Sequence, residues 1–148
     1  MKILLFKGKG IISALIRWQT RSAYSHAALL FDDGWIIEAW QGAGVRRKRL
    51  DDWTNVEAFD IPGITSVHVT DAWKFATEQI GSGYDYWSVL RFIDRRHMPE
   101  NKKWFCSELV FEALRQAGIQ LLARIDASEV SPGLLSLSTR LTAAAPQQ

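Results

Sequence analysis

Two apolar runs, "SHAALLF" and "WIIEAW", flank Asp32, Asp33 and Gly34, and they are the clearest pattern in the chain. A short polar turn ending in a glycine, which tolerates positive φ, predicts a β-hairpin between them. With a three-residue loop, Phe31 pairs with Trp35, Leu30 with Ile36 and Ala28 with Glu38. Side chains alternate faces with period two, so Glu38 then lies on the His26 face as its diagonal neighbour, roughly 7 Å or less away at Cβ. A two-residue loop would pair Glu38 with Leu29 and turn it to the other face. An acid inside so apolar a run needs a partner if it is buried; the plain alternative is a hairpin-edge carboxylate in solvent.

The remaining pattern is mixed α and β, without repeats. A short strand is expected at Ile3 to Phe6. "GIISALIRWQT" places Ile12, Leu15, Ile16 and Gln19 at helical spacing and predicts a short helix packed by its apolar side. "VEAFDI", closed by Pro62 and Gly63, and "SVHVT" at residues 66 to 70 read as strands. A helix is expected to start near Thr70, capped by its hydroxyl, and to run through Trp73, Ala76 and Ile80 until Gly81 stops it. After the "GYDYWSVL" loop, Leu109, Val110, Ala113, Leu114 and Ala117 mark the apolar face of a helix that starts at Cys106 and ends at Gly118. Residues 1–140 fit one domain, with 141–148, "LTAAAPQQ", a disordered tail.

Composition narrows the chemistry. A chain of 148 residues, 47% hydrophobic, supports one ordinary core. A net charge of +2 does not call for nucleic acid. The one basic cluster, Arg46 to Arg49, follows a glycine-containing turn and reads as a solvated loop or strand edge. No apolar stretch is long enough for a signal-peptide core or a membrane span, so the expectation is a cytoplasmic protein without stable membrane insertion. One cysteine allows no intramolecular disulfide and no cysteine-based zinc site, and His26, His68 and His97 lack metal-ligand spacing. No metal and no cofactor are expected.

Cys106 is then the residue to explain. A lone cysteine most often packs as a small hydrophobe. This one opens a helix, where unpaired N–H groups and the helix dipole favour a thiolate. The backbone N–H groups of Cys106 and Ser107 would also suit the oxyanion formed when that sulfur attacks a carbonyl. His26, opening the first hairpin strand, is the candidate base, and Glu38 the carboxylate that orients it. The expected geometry is an imidazole within about 4 Å of the sulfur, with Glu38 on the opposite side of the ring. Glu108 needs only the helix dipole to account for it. His68 and His97 carry no motif and read as structural or surface residues. Trp18, Trp73 and Trp87 fit core positions. Trp35, Trp40 and Trp104 fall near the proposed site in sequence and either wall a groove or pack in the core.

Taken together, "YSHAALLF", "WIIEAW" and, much later, "WFCSELVFEAL" resemble the YiiX/YaeF-like permuted papain-fold amidases, relatives of the NlpC-type cell-wall cysteine peptidases. The likeness runs from Phe6 to the "EVSPGLL" segment near residue 135. Its specific part is order, because the histidine strand precedes the cysteine helix as in the permuted family. The resemblance implies an α+β, permuted papain-like fold, with an antiparallel sheet or partial barrel packed against the cysteine helix. It also implies Cys106 as nucleophile, His26 as base and Glu38 as the third polar residue. "GYDYW" looks like the family's Tyr-Asp stretch, which would make Tyr84 and Asp85 pocket residues, although turn and cap roles explain them equally well. The implied reaction is cleavage of an amide or peptide bond through a thioester acyl-enzyme. A peptide, a peptidoglycan-like stem or a lipid amide would each serve as substrate. Acyl transfer between lipids on a related fold, and a binding module without turnover, are the alternatives. No loop carries a readable specificity code, and oligomeric state is not legible.

Overall fold

The computed structural model describes residues 1–32, 34–85 and 103–145. Asp33, Trp87, His97 and the last three residues of the tail lie outside them. The first elements are β1 (Lys2–Phe6), α1 (Ile11–Thr20), β2 (His26–Leu30), β3 (Trp35–Trp40), β4 (Gly44–Arg49) and β5 (Val56–Asp60). They are followed by α2 (Ser66–Glu78), β6 (Gly83–Tyr84), β7 (Lys103–Trp104), α3 (Cys106–Gln116), a 3₁₀ turn at Ala127–Glu129, α4 (Pro132–Ser136) and β8 (Thr142–Ala143). Six strands form an antiparallel sheet in the order β4-β3-β2-β1-β5-β8, and β6 and β7 form a short parallel pair. The class is α+β, as the sequence led us to expect.

The hairpin has the three-residue register. Leu29 pairs with Ile37 and Leu30 with Ile36. Phe31 N–H donates to the Trp35 carbonyl at 2.9 Å, and Gly34 turns the chain at φ 79°. β2 lies between β1 and β3 and is buried along its whole length. Alternation divides the sheet's apolar residues into two clusters. Ile3, Leu5, Ala27, Leu29, Ile37 and Ala39 pack with Leu109, Val110, Ala113 and Leu114 of α3. Leu4, Ala28, Leu30 and Ile36 form a separate cluster on the other face, covered by Leu50, Trp53 and Val56.

Three expectations change. "SVHVT" is the first turn of α2, not a strand, and the cap is Thr65 rather than Thr70. Thr65 N–H donates to His68 Nδ1 at 3.2 Å and His68 N–H to Thr65 Oγ1 at 3.4 Å. This reciprocal cap nucleates a helix that β-branched valines alone would not favour, and it gives His68 a structural role. Trp18 is not a core residue; it is 74% exposed, and Ile16 is the buried residue of α1. The tail is not frayed throughout. Thr142 and Ala143 pair with Asp60 and Phe59, because β5 otherwise leaves a row of unpaired backbone groups at the sheet edge. A two-residue pairing is too short to leave a periodic signature.

Candidate active site

His26 is the first residue of β2, directly opposite Phe6 at the end of β1. The approach to it is pinned: Ser25 N–H donates to the Phe6 carbonyl at 2.9 Å, and Gly8 N–H donates to Ser25 Oγ at 3.0 Å. Cys106 is likewise the first residue of α3 and is fully buried. Its side chain hydrogen-bonds the His26 ring. Both residues sit at the ends of their elements. The contact is therefore made although His26 follows the Ala28 and Leu30 side of its strand, while α3 packs on the Ala27 and Leu29 side.

Glu38 occupies the other side of the imidazole. Its Oε2 lies 2.7 Å from His26 Nε2, which leaves Nδ1 to face the sulfur. Oε1 accepts two bonds from Arg46, from Nε at 2.9 Å and from Nη2 at 2.8 Å. Glu38 is only 2% exposed, so both oxygens are committed inside the protein. Trp40 stands edge-on to the His26 ring with centroids 5.1 Å apart, Phe6 lies 5.1 Å away on a tilted plane, and the Arg46 guanidinium covers the Trp40 ring at 4.9 Å. The result is a chain of four side chains, Cys106–His26–Glu38–Arg46, shielded by aromatic rings.

The electrostatics follow from that enclosure. Burial is the largest single influence on His26 and pushes its pKa down. The charge and hydrogen bond of Cys106 and the hydrogen bond and charge of Glu38 together outweigh it, raising His26 from 6.5 to about 9. Burial also pushes Glu38 up, but His26 and Arg46 prevail and hold it below the usual carboxylate value. The protonated ring and the ionised carboxylate are thus the favoured forms near neutral pH.

At the start of α3, Glu108 reaches back to accept from Phe105 N–H at 3.3 Å, and the first helical bond runs from Leu109 N–H to the Phe105 carbonyl. The helix ladder therefore does not consume the Cys106 and Ser107 N–H groups. Ser107 Oγ donates to the Val130 carbonyl at 2.6 Å, and Ser131 caps α4, so the "EVSPGLL" segment is fastened to the cysteine end of α3.

The other expected residues divide. Trp40 lies at the site. Trp104 does not wall it; its indole N–H donates to Gln79 at 3.1 Å and its ring packs on Phe75, both carried by the α2 segment. Trp35 sits at the turn end of β3 under the Arg47 guanidinium, which also lies over Trp73. Tyr84 is buried with its ring 6.1 Å from that of Phe105, behind the cysteine, and Asp85 N–H donates to the Trp104 carbonyl. Arg46 is the residue that sequence reasoning passed over by placing it in solvent. Arg46 to Arg49 do lie on an edge strand, but Arg46 pairs directly with Glu38. The signal was available: "QGAG" permits a second tight turn after β3, and the register argument used for His26 and Glu38 carries over to β4.

No family model matches the chain. In sequence it is similar to the probable lipoprotein peptidase YaeF of Escherichia coli (strain K12), at 28% identity over 78% of this chain and 55% of that protein. The chain thus spans about half the length of the curated relative it matches. In structure it superimposes on metalloprotein yiiX of Escherichia coli O157:H7 with a TM-score of 0.72 and 20% identity, covering 99% of this chain and 96% of that one. That likeness establishes the fold. The chain is thus similar to YaeF in sequence and to yiiX in fold.

Proposed function

We propose that the chain is a cysteine hydrolase that cleaves an amide or peptide bond through a thioester acyl-enzyme. The observation that carries this reading is the buried line from Cys106 through His26 to Glu38 at the opening of a helix. The Cys106 thiolate attacks the substrate carbonyl, and the Cys106 and Ser107 N–H groups stabilise the oxyanion. His26 holds the proton taken from sulfur and delivers it from Nδ1 to the leaving amine. It then takes a proton from water, which attacks the thioester and frees the acyl group. Glu38 holds the Nε2–H tautomer and balances the imidazolium charge. Arg46 is a positioning residue that keeps Glu38 ionised and aimed, and Trp40 and Phe6 exclude water from the pair. The name of YaeF, a probable lipoprotein peptidase, agrees with this class of reaction. A peptide, a peptidoglycan-like stem or a lipid amide fits the chemistry. Acyl transfer to a lipid acceptor is the second reading, favoured by the apolar surroundings of Cys106, which suit a long acyl chain on the sulfur.

The yiiX structure is described as that of a metalloprotein. Among the described residues of this chain, no group of three or more His, Cys, Asp or Glu side chains is arranged to hold a metal ion. Glu38 has already committed both oxygens to His26 and Arg46. The donors among the described residues do not fit a metal, and no step of the mechanism uses one.

The test uses the single cysteine. Low iodoacetamide near pH 6 should alkylate Cys106 readily in the wild type and slowly in His26→Ala, where the sulfur has lost the imidazole that takes its proton. Equal, slow labelling of both proteins would remove the catalytic pair. Mass spectrometry of Cys106 after incubation with acyl donors separates the readings, because a persistent long-chain adduct identifies the transferase.

A further inference from the structure

Helix α1 is sorted against the usual rule. Of its large apolar side chains Ile11, Ile12, Leu15, Ile16 and Trp18, Ile16 is the buried one. Ile11 is 90% exposed and Trp18 74%, and Leu15 lies between them on the same side of the helix. Their spacing of i, i+4 and i+7, with exposed Ala14 beside them, is that of one outward stripe. The inward side meanwhile encloses the Gln19 amide, neither atom of which has a hydrogen-bond partner. Scattered exposed apolar residues need no explanation, but a helical row ending in tryptophan does.

Charge identifies what covers the row. From residue 1 to residue 31 the sequence has no acid, while Lys2, Lys7, Lys9, Arg17 and Arg21 fall within it, so the chain's positive excess is concentrated here. Lys2 is paired with Asp60 and Lys7 with Glu57. Lys9, Arg17 and Arg21 have no acidic partner among the described residues. Arg17 lies in the last turn of α1, partly exposed, and Arg21 is its exposed C-cap, so the cations gather at the Trp18 end of the row. A short helix with an apolar row containing tryptophan and a cationic end matches the interface of an anionic bilayer, where the row enters the acyl boundary and the guanidiniums meet phosphate.

We propose that α1 docks this protein peripherally on an anionic lipid surface through Ile11, Leu15 and Trp18, with Arg17 and Arg21 on the headgroups. The proposal does not depend on the hydrolase reading, but the two meet spatially. The first turn of α1 is tied to the strand that opens with His26: Gly8 donates to Ser25 Oγ, and any Cβ at Gly8 would strike Ser13 and Ser25. Docking through α1 therefore tethers to the membrane the element joined to the strand of His26, which suits a lipid-anchored acyl or peptidyl substrate.

Flotation of the full chain with phosphatidylcholine vesicles, with and without phosphatidylglycerol, tests this directly. The wild type should float with the mixed vesicles and not with phosphatidylcholine alone, and high salt should release it. Trp18→Ser should weaken partitioning about tenfold, as expected for a large apolar side chain withdrawn from the interface. Arg17→Gln and Arg21→Gln should each weaken it about fivefold. Cys106 alkylation, unchanged in all three variants, confirms that the fold is intact. The proposal is overturned if the wild type does not float, or if Trp18→Ser floats equally well. It is also overturned if sedimentation shows a dimer that Trp18→Ser dissociates while neither protein binds vesicles, since the stripe is then a protein interface.

Discussion

Replacing Glu38 with glutamine tests the site most sharply, because the structure makes that nearly isosteric change frustrating. Glu38 accepts from His26 Nε2 with one oxygen and from Arg46 Nε and Nη2 with the other. A glutamine has one acceptor. If its oxygen stays with Arg46, its NH₂ faces Nε2, and the imidazole must flip to the Nδ1–H tautomer, which cannot take the thiol proton. If the oxygen turns to His26, the NH₂ meets the guanidinium donors, leaving buried donors unpaired at about 1–3 kcal/mol. The charge is lost in either case. Raising His26 from 6.5 to about 9 corresponds to roughly 3 kcal/mol in favour of the protonated ring. Cys106 is the larger contributor and Glu38 the smaller, so losing the carboxylate charge withdraws the smaller of the two contributions. The wrong tautomer adds to this, up to the loss of about 10⁴ known for the corresponding change in serine proteases. We expect Cys106 alkylation near pH 6, and turnover of any verified substrate, to fall between about 10-fold and 10⁴-fold in Glu38→Gln. Nitrogen NMR of the ring should show the tautomer change. The further variant Glu38→Gln/Arg46→Gln should recover part of the loss, because the amide oxygen is then free to accept from Nε2. Wild-type rates in Glu38→Gln alongside an inactive His26→Ala would refute the reasoning and move the third role elsewhere, with Asp85 the next residue to test.

Cys106→Ser should abolish covalent labelling and turnover with unchanged circular dichroism, His26→Ala should lose nearly as much, and their effects on turnover should not add, since nucleophile and base act as one unit. Because Glu38 is held below the usual carboxylate value in the folded protein, the stability it contributes is present above pH 4.5 and lost as pH falls through its depressed value. The stability gap between wild type and Glu38→Gln, measured by urea unfolding, should therefore narrow below pH 4.5. Trp40→Ala should leave stability nearly unchanged, because Trp40 is 41% exposed. It should slow alkylation several-fold by admitting water to the His26–Glu38 pair. Gly44→Ala should destabilise by about 2–4 kcal/mol in the same unfolding assay: Gly44 has φ 71°, and a Cβ there would lie 2.1 Å from the Ser82 carbonyl oxygen.

The sequence alone determined what depends on short-range rules. The turn at Asp32 to Gly34 specifies loop length, loop length specifies register, and register puts Glu38 on the His26 face, all within sixteen residues. The start of α3 was equally legible, since a run of helical periodicity beginning at Cys106 leaves its first N–H groups without partners. Tertiary packing decided the rest. α2 begins at Ser66 because a reciprocal Thr65–His68 cap outweighs the β-propensity of two valines. Trp104 turns to Phe75 and Gln79, across the chain, instead of toward the adjacent cysteine. Arg46 enters the site because β4 pairs with β3, with Gly44 held against the Ser82 backbone, a contact between segments far apart in sequence. The outward stripe of α1 was invisible for a related reason. Periodicity shows that a helix has an apolar side, but only the assembled sheet decides which residues it covers.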